Sequence, residues 1–298
     1  MTTTIISATF IGAGIPFNYV ANGHQLIILQ NVTLGSTNSA AVGGLGFDDL
    51  ALTILGSIAG TTSLAVSGSD AVITIAAGGS FVSSEDASGN SGFFLAGELI
   101  TVTNHGNFLA PTAIGILSTG VNEIVNTGTM QASSAVFLGL NDAIGDVFVN
   151  SGSVVSNSYD DAVNNIRFNN GVVTEGANTR ITNLTTGSIM AVATEAAGVR
   201  FHGVAGGSSL VNIGDISSAQ DFGVNLGTVD LGQTQIRVYN GGTIHGLDGA
   251  YIGSGNADSL VNRGVLLGGV DMGNGNDTLD NWSSRIEGDV LLGDGNDV

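Results

Sequence analysis

The chain has 298 residues, a length that suits one large domain, two ordinary ones, or a stacked repeat of many turns. With 43% hydrophobic and 10% charged residues, 47 glycines and 2 prolines, it is neither disordered nor collagen-like. There is no lysine, 6 arginines face 25 acidic residues, and the formal charge of −19 excludes phosphate backbones and anionic membranes as partners while favouring cations. The absence of cysteine removes disulfides and thiolate metal sites.

Taken in order, Met1 to Ile11 lacks the basic start and long apolar core of a secretory signal peptide, so any export signal is expected elsewhere. Residues 1–22 are expected to cap the first turn of a stack, because an open end presents unpaired strand edges. Gln25 to Leu29, Leu50 to Leu55, Leu64 to Val66 and Val72 to Ile75 are short apolar runs punctuated by Gly and Ser, as strands between tight turns would be. The uncharged run Leu50 to Ser69 is long enough for a membrane span, but Gly, Ser and Thr break it and no cations flank it, so it reads as two buried strands.

From residue 100 a phrase recurs: an apolar residue, any residue, Asn, any residue, Gly. Its asparagines are Asn104, Asn126, Asn150, Asn183, Asn212, Asn240, Asn262 and Asn281, separated by 22, 24, 33, 29, 28, 22 and 19 residues. Such a period predicts an all-β, right-handed parallel β-helix, or β-solenoid, with turns of roughly 20–30 residues. Asn and Gly are expected to take the left-handed conformation at each bend, and the Asn side chains to stack into an amide ladder. Residues 23–236 form the irregular part of this solenoid and 237–298 the regular part. Ile166-Arg167-Phe168-Asn169 and Val199-Arg200-Phe201-His202 match closely, and stacking them would place Arg167 beside Arg200 on an outer face.

The last turns carry Gly273-Asn274-Gly275-Asn276-Asp277 and Gly293-Asp294-Gly295-Asn296-Asp297, with a looser copy at Gly253-Ser254-Gly255-Asn256-Ala257-Asp258. Gly253, Gly273 and Gly293 lie 20 residues apart, and Ala257 reads as an insertion. The phrase resembles the RTX, or hemolysin-type, calcium-binding repeat G-G-x-G-x-D-x-U-x. Gly273, Gly275, Asp277 and Leu279 fill its second and third glycines, aspartate and apolar position; Gly293, Gly295 and Asp297 repeat them. The resemblance implies Ca2+ as cofactor, held by glycine carbonyls and by Asp258, Asp277 and Asp297 between stacked turns. Unlike the family's nine-residue unit, the phrase appears here on one edge of each turn, so a single row of sites is expected. The resemblance also implies type I export from a Gram-negative bacterium to the extracellular space or cell surface, with the last unit continuing beyond Val298.

A catalytic alternative uses Asp160, Asp161, Arg167, Glu195, Arg200 and His202 as a polysaccharide lyase or epimerase site for anionic glycans. Ordinary ion pairs, Asp161 with Arg167 and Glu195 with Arg200, explain the same residues. His24, His105 and His245 lack metal-ligand spacing and read as surface residues, and Trp282 as a packed turn aromatic. The favoured expectation is a calcium-stabilised structural or adhesive solenoid with no catalytic residues, whose partners beyond calcium are extracellular glycans or a cell surface.

Overall fold

Short β-branched runs with period-two burial favour strands of a few residues, which have no core until they stack. In the computed structural model, which describes residues 2–44, 46–61, 64–83, 92–110, 113–116, 120–132, 136–138, 145–157 and 170–298, every regular element is a β-strand. Three parallel sheets wind around one lumen, each turn contributing a strand to each sheet. The first sheet has 12 strands, from Thr2–Ile6 to Thr278–Asp280, and the second has 12, from Phe10–Gly12 to Arg285–Glu287. The third has 10, from Leu64–Val66 to Val290–Leu291; in the first two turns a separate pair, Phe17–Asn18 with Val42–Gly43, takes its place. This is the β-solenoid expected from the repeat. Thr2–Ile6 is itself the first rung, paired in parallel with His24–Ile28, and Ile5 and Phe10 remain exposed at this end.

Columns of inward side chains fill the lumen. Val102, Ile124, Phe148, Ile181, Leu210, Val238 and Leu260 stack down the first sheet, and Phe108, Met130, Val154, Ile189, Ile216, Ile244 and Leu266 down the second. All are buried, and each contributes roughly 1.5–3 kcal/mol relative to exposure. Phe81, Phe93 and Phe108 meet as an aromatic cluster with centroids 4.9–5.3 Å apart.

The Asn ladder occupies the corner between the first and second sheets. Asn104 Nδ2 donates to Asn126 Oδ1 at 2.8 Å, and the same bond links Asn126, Asn150, Asn183, Asn212, Asn240 and Asn262 in succession. Asn262 passes it to Asn281 at 2.7 Å. Each donating Nδ2 also reaches a backbone carbonyl of the next turn, as Asn183 does to Asp215 O at 3.1 Å. The expected left-handed bends are absent: neither the ladder asparagines nor the glycines after them have positive φ. Glycine is needed there for close approach, because a Cβ on Gly128, Gly152, Gly214, Gly242 or Gly264 would overlap the carbonyl oxygen of a glycine one turn away. Above Asn104 the same column holds Ile6, Ile28, Ile54 and Ile75.

The basic stripe does not form as expected. Arg200 lies beside Val173 and Asn225, and Val172–Thr174 is the strand stacked on Val199–Gly203. Arg167, with the other residues from 158 to 169, lies outside the described residues. Arg200 is 6% exposed rather than outward: its guanidinium pairs with Asp221 and donates to Asn170 Oδ1 and Glu195 O, each at 2.9 Å.

Candidate cation site at the last turns

Strand register aligns the last three turns. Ser259 pairs with Thr278 and Leu260 with Leu279, which puts Asp258 on Asp277. Ahead of them the Gly253 N–H donates to Asp271 O at 2.7 Å and the Asn274 N–H to Ser254 O at 3.1 Å. A Cβ on Gly253 would overlap Met272 O, one on Gly273 would overlap Ser254 O, and one on Gly275 would overlap Asn256 O. The equivalent residues are therefore Gly253 and Met272, Ser254 and Gly273, Asn256 and Gly275, Asp258 and Asp277. Matching Gly253 to Gly273 by sequence is off by one position, and Ala257 is not an insertion. Gly273, Gly275, Gly293 and Gly295 all have positive φ, whereas Gly253 and Gly255 do not, so only the last two turns share the glycine backbone geometry.

The three aspartates form a second ladder, at the corner leading from the third sheet into the first. The Asp258 N–H donates to Asp277 Oδ1 at 2.8 Å, and the Asp277 N–H to Asp297 Oδ1 at 3.0 Å. In the first of these turns Asp258 Oδ2 accepts from the Ser254 N–H at 2.7 Å and from the Ser254 hydroxyl at 2.8 Å. One turn on, glycine replaces that serine. The hydroxyl is gone, and the Gly273 N–H donates to Asp271 Oδ1 at 3.0 Å instead. Asp277 is 1% exposed, and its Oδ2 has no hydrogen-bond partner. Asp258 Oδ1 and the Tyr251 hydroxyl, both buried, also lack one.

The electrostatics match this desolvation. Burial pushes the Asp258 carboxyl up to about 6; the Ser254 donors oppose the rise, the Asp277 charge adds to it, and the Ile236 amide on the adjacent turn lowers it without a hydrogen bond of ordinary geometry. Asp277 is raised by burial first and by the Asp297 charge second, against the Asp258 N–H. Tyr251 is raised well above its usual value by burial and then by the charges of Asp258 and Asp277. No arginine contributes to either carboxyl shift.

The donor set consists of carboxylate oxygens and backbone carbonyls, which suits a hard, flexible cation such as calcium and not zinc or copper. Asp277 brings one free, desolvated carboxylate oxygen, and Asp297 lies below it, partly exposed. Gly273, Gly275, Gly293 and Gly295 each approach a backbone carbonyl oxygen of the preceding turn closely. Asp258 differs, because Ser254 already occupies its Oδ2. Among the described residues, no group of three or more His, Asp or Glu side chains converges as a ready-made metal cage. Backbone carbonyls and water would have to complete any shell.

Sequence reasoning passed over Ser254 and Tyr251. Counting back four residues from each aspartate reveals Ser254, Gly273 and Gly293 as one column; counting from the glycines hides it. Tyr251 reads as an ordinary core aromatic until its hydroxyl is found without a partner.

The catalytic alternative gains nothing from the geometry. Arg200 is closed off by Asp221, and His202 Nδ1 lies 3.4 Å from Glu175 Oε1, both side chains largely buried. Asp160 and Asp161 lie outside the described residues. His24 is not on the surface: it packs edge-on against Phe17 and Tyr19, and its Nε2 bonds Thr4 Oγ1 at 2.9 Å. His105 is a surface residue bonded to Thr127 Oγ1 at 2.7 Å. Trp282, expected to pack in its turn, is 76% exposed. No family model, curated protein or solved structure matches the chain.

Proposed function

We propose that the chain is a calcium-stabilised β-solenoid of the RTX-like kind, acting outside the cell as a structural or adhesive shaft whose last turns are clamped by Ca2+. The observation that carries this reading is the exchange of Ser254 for Gly273 in the aspartate ladder. It removes two donors from a buried carboxylate while retaining the aspartate, a costly arrangement unless a cation takes their place. Asp277 and Asp297, with carbonyls of Gly273, Gly275, Gly293 and Gly295, would hold the ion, and bound calcium would neutralise charge between stacked turns. An acidic chain of −19 favours an environment rich in divalent cations, and type I export with an adhesive role is the biological setting that the RTX-like phrase supports.

Calorimetric titration of the full chain with calcium tests the reading. Wild type should bind, and Asp277→Asn should lose at least about tenfold in affinity, since one charged ligand becomes neutral. No heat of binding at millimolar calcium, with unchanged thermal stability, would sink it.

A further inference from the structure

Among the described residues, the buried side-chain atoms without partners include His24 Nδ1 and Ser83 Oγ, each by itself in a separate part of the stack, and three oxygens from residues flanking the corner between the third and first sheets: Tyr251 Oη, Asp258 Oδ1 and Asp277 Oδ2. The Asp258 and Asp277 groups are tied by the 2.8 Å bond from the Asp258 N–H to Asp277 Oδ1. Tyr251 is the penultimate residue of the strand Gly249–Ile252 that enters the same corner, seven positions before Asp258 in the chain, and feels both carboxylate charges.

The inward column of the third sheet makes Tyr251 the exception. Its rungs run Leu64, Phe93, Ile114, Val136, Val172, Val199, Val224, Tyr251, Val270, Val290 in parallel register, and among them Tyr251 alone carries a polar atom on its side chain. Packing alone is met by an aliphatic or a phenylalanine; a hydroxyl buried without a partner costs roughly 1–3 kcal/mol. The arginines nearest in sequence cannot compensate the two carboxylates, because Arg263 is paired with Asp280 and Arg285 with Glu287.

We propose that Tyr251 Oη, Asp258 Oδ1 and Asp277 Oδ2 form a cation site inside the solenoid lumen, which takes one calcium-class ion with water completing its shell. This site shares Asp277 with the glycine-turn clamp on the edge, adds Tyr251 and Asp258 on the lumen side, and rests on the calcium reading for the identity of the ion. The two carboxylate oxygens supply charge, and the phenol supplies a neutral oxygen that closes the site from the lumen side. It lies between the turn of Asp258 and the turn of Asp277, so occupation would lock those two turns together.

Terbium, a luminescent stand-in for calcium, tests the site in the full chain stripped with chelator. A Trp282→Phe background removes the exposed indole as an antenna without touching any proposed ligand. In that background, tyrosine excitation should give terbium emission that calcium displaces. Adding Tyr251→Phe should cut the emission at least about tenfold, and Asp258→Asn should raise the terbium Kd at least about tenfold. In chelator, Tyr251→Phe should be at least as stable as its parent, because it deletes an unpaired buried hydroxyl; if it fails to fold, Asp258→Asn carries the test. Emission and affinity unchanged in both variants, with binding still lost in Asp297→Asn, would overturn the lumenal site alone. Emission that persists in Tyr251→Phe while Asp258→Asn weakens binding would remove the phenol and overturn the site as drawn. Absence of any terbium or calcium binding to wild type would overturn the underlying calcium reading as well.

Discussion

Asn183 shows what one ladder residue does. Its Nδ2 donates to Asn212 Oδ1 and its Oδ1 accepts from Asn150 Nδ2, both at 2.8 Å and fully buried. Replacing Asn183 with Ile strips a partner from two ladder asparagines, whereas replacing Asn104, at the end next to Ile75, strips one from a single ladder asparagine, Asn126. Asn183→Ile should therefore cost about 2–4 kcal/mol and Asn104→Ile about half that, as local loss of protection in hydrogen exchange. Arg200→Ala should cost about 3–5 kcal/mol, because it leaves Asp221 buried and unpaired. A loss of catalytic rate on uronate polymers, with stability intact, would revive the enzyme reading. Asp258 sets a pH dependence in chelator. Its folded pKa of about 6 exceeds its ordinary 3.8, so the folded state binds the proton more tightly. Stability of the last turns is then greatest below pH 4 and falls by about 3 kcal/mol as pH rises to about 6. Hydrogen exchange of residues 250–298 at pH 4 and pH 6.5 measures it, and a rise with pH would contradict the assignment.

At the scale of the element, each rung of the first sheet is a strand of three to five residues with an inward position, apolar in every rung after the first, and the corner position two residues on. The corner position holds Ile in the first four rungs and Asn in the next eight, with no change in pairing. This explains why the repeat is legible only from residue 100. A buried isoleucine and a buried asparagine both fill the corner, but only the asparagine stands out against apolar neighbours. Turn glycines were legible as residues and misread as geometry, since steric approach between turns and left-handed backbone select the same residue type. Gly152→Ala discriminates the two causes: it should destabilise by about 1–3 kcal/mol through overlap with Gly128 O although its φ is ordinary.

Across the whole molecule, each turn touches mainly its neighbours, so stability is local and ends of the stack open first. Calcium at a hundredfold excess over its dissociation constant adds about 2.7 kcal/mol per site. Chelation should therefore loosen residues 250–298 while protection around Asn126 to Asn212 stays unchanged, as hydrogen exchange with and without EDTA would show. Uniform loss along the stack would place the ion elsewhere.

The sequence by itself determined the solenoid, its turns of roughly 20–30 residues legible from residue 100 onward, and the Asn ladder, because each depends on spacing along the chain. It also placed Asp277 and Asp297 on one edge. Only the tertiary structure decided which residues are equivalent in the last turns, since close approach of backbone to backbone sets the register and the glycines alone do not. The same holds for Arg200, whose alternation predicts an outer face but whose charge is satisfied by Asp221 from the next turn. Hydrogen-bond vacancies such as Tyr251 Oη and Asp277 Oδ2 exist only between turns, where residues distant in sequence either bring a donor or fail to.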